Sequence, residues 1–165
     1  LCDAADAAIV DGGGFGWVEP PSREVMERYW RGGRTVPGRS LIVGRLDGVI
    51  AGSTQLVRPP PNNEAQAFAA QITTHFVAPW ARGHGLARAI VVAAEQAARA
   101  WGFRGINLDV RESQSAAIKL YETLGYVRWG THPAYARVGG AIVAGHYYYK
   151  DLSETEAPKQ EIPLS

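Results

Sequence analysis

Residues 67–110 constrain the fold most. The stretch "AQAFAAQITTHFV" (65–77) reads as a long strand ending ahead of Ala78-Pro79. Leu86, Ile90, Ala93, Ala97 and Trp101 then recur at helical spacing, Gly102 supplies a stop, and "GINLDV" (105–110) reads as a short strand. Strand, helix and strand in that order imply parallel neighbours joined by a right-handed crossover. Asp47-Gly48, inside "SLIVGRLDGVIAGSTQL" (40–56), is by contrast the turn of an antiparallel hairpin. Both kinds of pairing in one chain mean a mixed sheet with helices on its faces, an α+β fold.

The remaining segments fit around that sheet. "LCDAADAAIV" (1–10) has helical spacing and runs into Gly12-Gly13-Gly14. "SREVMERYW" (22–30) reads as a helix with Ser22 as N-cap and Val25, Met26, Tyr29 and Trp30 on one side. "RPPPNN" (58–63) cannot continue a sheet interior. Ser113 is placed to cap a helix running to Leu124 and closed by Gly125. "YVRWG" (126–130) and "GHYYYKDL" (145–152) read as two final strands, with "HPAYARVGGA" (132–141) as a substantial loop between them. The polar tail from Ser153 holds two prolines and no aromatic residue, and reads as disordered.

Composition narrows the function. The chain has 165 residues and a formal net charge of +1, so it has the length of one domain and no broadly basic surface for nucleic acid. The single cysteine, Cys2, excludes a disulfide framework and a cysteine-rich zinc site, and reads as a small packing residue. No stretch approaches the ~20 apolar residues of a membrane span. A soluble, cytoplasmic setting is the expectation.

Against that neutral background, "PWARGHGLARAI" (79–90) stands out. Arg82, His84 and Arg88 crowd a helix start, where the peptide dipoles already carry partial positive charge, and no acidic residue occurs between Pro79 and Ala94. Gly83 and Gly85 permit close backbone approach, and no Ser, Thr, Asp or Asn is present to cap the free N–H groups. The combination suits a phosphate. An ordinary strand-to-helix turn with solvated arginines fits the same residues. The Walker loop is excluded, since the chain has no Gly-Lys dipeptide, and Arg88 stands where a dinucleotide fingerprint needs glycine or alanine. A Gly-x-Ser-x-Gly elbow and a His-Glu-x-x-His helix are both missing from the sequence.

Arg82-Gly83-His84-Gly85-Leu86-Ala87 resembles the [Gln/Arg]-x-x-Gly-x-[Gly/Ala] segment of the GNAT N-acetyltransferase superfamily. The flanking strand and helix agree with it. "GINLDVRESQSAAIKLYETLGYV" (105–127) is similar to the family's second hallmark, a strand followed by Asn-x-x-Ala-x-x-Leu-Tyr-x-x-x-Gly-Phe. Together the two resemblances cover about residues 64–130. A weaker one, to acetyltransferases of the tabtoxin-resistance type, rests on "VDGGGFGW" (10–17), "GTHPAY" (130–135) and "HYYYKDL" (146–152).

The resemblance implies one GNAT domain over residues 1–152, whose first strand would lie ahead of Leu1, and a flexible tail over 153–165. It implies acetyl-coenzyme A as donor, an amine as acceptor, direct transfer and no metal. Backbone groups of His75, Phe76 and Val77 would meet the pantetheine arm. The turn formed by Arg82, Gly83, His84, Gly85, Leu86, Ala87 and Arg88 would hold the pyrophosphate. Gln114, Ala117 and Tyr121 share one helical face, which in the family borders the thiol end of the donor. Tyr121 matches the residue that protonates the departing thiolate.

Two departures stand out. Gln114 replaces the usual asparagine, and Gln71 stands near where some protein-lysine acetyltransferases carry a basic glutamate. The second weakens a histone-type reading. His75, Glu64, Glu112 and His146 are candidates for a base, with none singled out. Trp129, Tyr135, Tyr147, Tyr148 and Tyr149 either line an acceptor pocket or are ordinary strand residues. The same choice applies to Trp17, Tyr29 and Trp30. The expected acceptor is a small-molecule amine, with no nucleic-acid or membrane partner and, in a homodimer, a second copy of the chain. The alternatives are a non-catalytic acyl-CoA-binding sensor or scaffold, and an acetyltransferase of protein N-termini or lysines.

Overall fold

The structure, a computed structural model, describes residues 1–13 and 15–153. Gly14 and the tail beyond Ser153, on which the expectation of disorder falls, lie outside the described residues. Helices α1 (Cys2–Val10) and α2 (Arg23–Thr35) precede a hairpin of strands β1 (Arg39–Leu46) and β2 (Val49–Val57). Strand β3 (Ala69–Val77), helix α3 (Leu86–Ala100) and strand β4 (Gly105–Arg111) form the crossover unit. Helix α4 (Ser115–Thr123) and a second hairpin, β5 (Val127–Val138) and β6 (Ala141–Asp151), complete the chain.

Among the described residues the strands form one six-stranded sheet in the order β1-β2-β3-β4-β6-β5. Only β3 and β4 pair in parallel, as the crossover requires. Side-chain alternation divides the apolar residues between the two faces. On one face Ile72, Ile106 and Leu108 pack with Val91, Ala94 and Ala98 of α3 and with Tyr121 of α4. On the other, Phe76 packs with Ala5, Ala8 and Ile9 of α1 and with Met26 and Trp30 of α2. Cys2 is buried in this second core, as its small apolar character suggests. Gly44 and Gly52 face each other across β1 and β2, and an added Cβ on Gly44 would lie 2.6 Å from Ile90 and 2.7 Å from Leu86. These bare positions let the first turns of α3 lie close against the sheet.

Both hairpin turns have positive φ at two successive residues, +49° and +81° at Asp47-Gly48 and +56° and +80° at Gly139-Gly140. This geometry matches the twist of paired strands. The second turn corrects the expected loop over 132–141. Most of that segment continues β5, because Pro133 falls in an irregularity between His132 and Ala136 and β5 is an edge strand, where a missing donor is tolerated. Two boundaries also move. β3 begins at Ala69, after a short 3-10 turn at Glu64–Gln66. Ser113 does not cap α4: Gln114 occupies the cap position without a side-chain cap bond, and its amide reaches across to another segment.

Candidate functional site

The site originates in a parallel pair that stops early. β3 and β4 are in register only at Ala69/Gly105, Ala70/Ile106 and Gln71/Asn107. Beyond Gln71 the strands separate. On its other side β3 carries a bulge: Gln55 faces Thr73 and Ser53 faces Phe76, so Thr74 and His75 are accommodated opposite the single residue Thr54. Thr54 Oγ1 donates to the Thr73 carbonyl at 3.2 Å. Thr74 takes φ +52°, a left-handed conformation that is costly for a β-branched side chain.

The separation opens a cavity of about 280 Å³. Thr73, Thr74 and His75 line it from β3, and Asp109 and Arg111 from β4. Gln114, Ala117 and Tyr121 contribute the wall expected of α4. Gly13, Phe15 and Gly16, between α1 and α2, close one side, and Tyr135 of β5 closes another. Thr74 Oγ1 and His75 Nδ1 are buried without a hydrogen-bond partner among the described residues. Buried polar atoms are usually satisfied, so two orphans beside one cavity point to a ligand or water that completes them.

The electrostatics separate the roles. Burial pushes the His75 imidazole down to about 4, so it is neutral near pH 7 and a weak base. Tyr121 is 4 % exposed, and its ring centre is 6.1 Å from that of His75. Burial, and secondly the charge of Asp109, raise the pKa of the Tyr121 hydroxyl and keep it protonated. Asp109 accepts from Gln71 Nε2 at 3.4 Å and from the Tyr135 hydroxyl. Burial and this bond to Asp109 raise Tyr135 as well.

The glycine-rich turn follows β3 in the chain, and Arg82 Nη2 lies 3.7 Å from where a Cβ on Gly13, a residue of the cavity lining, would stand. Gly83 and Gly85 have φ of +80° and +74°, and nothing lies within 4 Å of a Cβ added at either. Gly85 caps α3 in the left-handed conformation with no side-chain cap bond. The first N–H groups of the helix, from Leu86, Ala87 and Arg88, therefore lack intrahelical acceptors. His84 and Arg88 are exposed beside them. Arg82 already has an acidic partner, Asp11 at the end of α1, with Nη1 2.5 Å from Oδ2. The negative charge missing from the local sequence is thus supplied in part from 71 residues upstream. Gln114 is similarly engaged, donating from Nε2 to the Gly12 carbonyl at 2.7 Å. Together these contacts fasten the α1–α2 segment to both the turn and α4.

The other candidates disperse. Phe76 is buried in the α1/α2 core and Val77 lies opposite Gly52. Glu64 lies before β3, at the end away from the cavity. His146 is buried, with Nδ1 2.8 Å from Thr131 Oγ1 and Nε2 3.4 Å from Glu112. Tyr148 is a core residue whose hydroxyl meets Arg128 and Glu122, and Trp129 packs on Tyr147 away from the cavity lining. Trp17, Tyr29 and Trp30 form an aromatic cluster with Phe15. Sequence reasoning missed Thr73, Thr74, Phe15, Asp109 and Arg111. A signal for the last two was present: Ile106, Leu108 and Val110 alternate with Asn107, Asp109 and Arg111, which gives β4 one apolar and one polar face.

No helix among the described residues is long and apolar enough to cross a membrane, and none of them form a group of three or more His, Cys, Asp or Glu side chains able to hold a metal. In comparisons with known proteins, the model of the acetyltransferase (GNAT) family matches residues 9–126. A relative from Azospirillum brasilense, described as an uncharacterized N-acetyltransferase in the hisH–hisA intergenic region, is 71% identical over 114 residues, 69% of this chain and 68% of the relative. An N-acetyltransferase from Staphylococcus aureus superposes with a TM-score of 0.78 at 18% identity, over 92% of this chain and 90% of that one. A Salmonella typhimurium protein solved with its cofactor acetyl-CoA gives 0.76 at 18% identity, over 96% and 90%. At such identities the structural likeness is one of fold. The extent of the family match and the close Azospirillum relative carry the assignment further: the chain belongs to the acetyltransferase (GNAT) family.

Proposed function

We propose that the protein transfers an acetyl group from acetyl-CoA directly to a primary amine of a small molecule. The observation that carries this reading is the opening between β3 and β4, with a cavity walled by a protonated tyrosine and, past the end of β3 in the chain, the uncapped start of α3. When bound, acetyl-CoA supplies an acyl group activated as a thioester. The backbone N–H groups from Gly83 to Arg88 suit its pyrophosphate, with the polarity of α3 reinforcing them. The β3 edge at His75, Phe76 and Val77, unpaired toward β4, suits the amide groups of the pantetheine arm. Gln114 and Ala117 border the thiol end.

Tyr121 has the role of general acid toward the departing thiolate. Its raised pKa keeps the proton in place beforehand. The same apolar surroundings make a thiolate more basic than its free value near ~8.5, so the proton retains a destination. The cavity, at about 280 Å³, has room for a small amine. Release of free thiol from acetyl-CoA across a panel of small primary amines tests the reading. Amine-dependent thiol release and N-acetylated product are expected. Tight donor binding with no turnover of any amine would support a sensor or scaffold instead.

A further inference from the structure

The transfer reading leaves unassigned what holds the acceptor. Leu108 and Val110 of β4 belong to the α3/α4 core, so Asp109 between them is directed to the face that carries α1 and α2. Tyr121 approaches from α4 on the other side. Residues from both faces of the sheet therefore line the cavity, Tyr121 from the α3/α4 side and Asp109 from the other.

That carboxylate is held in place. Gln71 and Tyr135 donate to its two oxygens, one each. Tyr135 is fixed in turn. Its ring lies directly over Gly145, where any Cβ would overlap it, and it stands edge-on to Tyr147 at 87° and 6.1 Å. The irregularity in β5 between His132 and Ala136 directs it there. Gln71 and Tyr135 are neutral donors, so these two bonds orient the carboxylate without adding charge to it, and a carboxylate has about four acceptor positions. Arg111, two residues along β4, lines the same cavity, where Asp109 is the one acidic side chain among the described residues. An alkylammonium offers a positive charge and up to three N–H donors. Phe15, which also lines the cavity, adds an aromatic surface of the kind that attracts cations and apolar groups.

We propose that Asp109, oriented by Gln71 and Tyr135, is the acceptor-binding residue, and that it selects small cationic monoamines over neutral and anionic molecules of the same shape. The proposal rests on the transfer reading, yet it can be tested without turnover. Benzylammonium, n-butylammonium, benzyl alcohol and benzoate are titrated by calorimetry and ligand-observed NMR into the protein, alone and saturated with coenzyme A. At least one ammonium is expected to bind about tenfold or more tightly than the alcohol and benzoate. Asp109→Asn should weaken it about tenfold or more, the size expected for removing the charge from a charged hydrogen bond, while Asp109→Glu should retain most of the affinity. Tyr135→Phe, which leaves the carboxylate in place, should weaken it by a smaller factor and keeps the test valid if Asp109→Asn does not fold. Equal binding of ammonium and alcohol, no ammonium binding, or undiminished ammonium binding to Asp109→Asn would overturn the proposal. Acetyl-CoA titrated alongside separates the two readings. Loss of donor binding in every protein would refute the transfer reading and leave the ammonium preference as an independent result.

Discussion

The two halves of the β3–β4 pair have the same neighbours and opposite properties. In the first half, Ala69, Ala70 and Ile106 are buried, the strands are in register, and the residues pack as a sheet interior does. In the second, Thr73, Thr74, His75, Asp109 and Arg111 are polar and the strands are apart. Thr74 departs from the strand conformation, and two polar atoms are left without partners. The closed half places its residues for stability. The open half retains polar groups and strain that a stable sheet would dispense with, as functional sites do.

The contrast gives paired expectations. Tyr121→Phe should reduce kcat about 100-fold or more while leaving the dissociation constant of acetyl-CoA within about twofold, the pattern of a lost general acid. Ile106→Ala, in the closed half, should do the reverse. It removes a fully buried side chain and should lower the unfolding free energy by about 2–5 kcal/mol in a urea titration, with donor affinity preserved under conditions where the variant is folded. Unchanged kcat in the first variant or unchanged stability in the second would break the comparison.

Gly145→Ala has an intermediate effect. The added Cβ must displace the Tyr135 ring, so a loss of about 1–3 kcal/mol in stability is expected together with a raised KM for the amine and an unaltered KM for acetyl-CoA. A variant with wild-type KM for both would show that Tyr135 does not hold the acceptor side.

His75 gives a pH signature. Its pKa is about 4 in the folded chain against about 6.5 when unfolded, so between these values the unfolded state binds more protons. The contribution is fully present above pH 6.5 and is lost as pH falls toward 4. The urea midpoint should therefore decline over that window, and the decline should be shallower in His75→Gln. Identical profiles would contradict the buried neutral imidazole.

The smallest effect is expected for Asp11→Ala. Asp11 and Arg82 are both about half exposed, so their pair should contribute less than about 1 kcal/mol, measurable by urea titration. Its loss frees Arg82 and should raise acetyl-CoA affinity slightly. A large loss of donor binding would mean that the pair positions the turn.

What the sequence revealed and what it concealed follow from the range of the interactions. Asp47-Gly48, Gly83, Gly85 and the α3 periodicity act within a few residues, so the first hairpin, the crossover and the uncapped turn were legible. The resemblance to the family placed Gln114, Ala117 and Tyr121 together, and all three line one cavity. The bond from Arg82 to Asp11 spans 71 residues and that from Gln114 to Gly12 spans 102, and no local pattern encodes either. Pro133 made the end of β5 resemble a loop, because composition does not reveal that a strand lies at a sheet edge and can absorb a bulge. Tyr135 is among the residues the sequence offers for an acceptor pocket and Asp109 lies on the polar face of β4, but the bond between them spans 26 residues and has no local pattern behind it.

The most direct test is thermal unfolding of the chain with acetyl-CoA, free coenzyme A, ATP and NAD supplied separately. A ligand at ~100 times its dissociation constant stabilises the native state by about 2.7 kcal/mol, enough to raise the midpoint by several degrees. The two coenzyme A species should raise it, while ATP and NAD should do so weakly or not at all. If neither coenzyme A species moved the midpoint, the opening between β3 and β4 would not be a donor site, and the proposed chemistry would be contradicted.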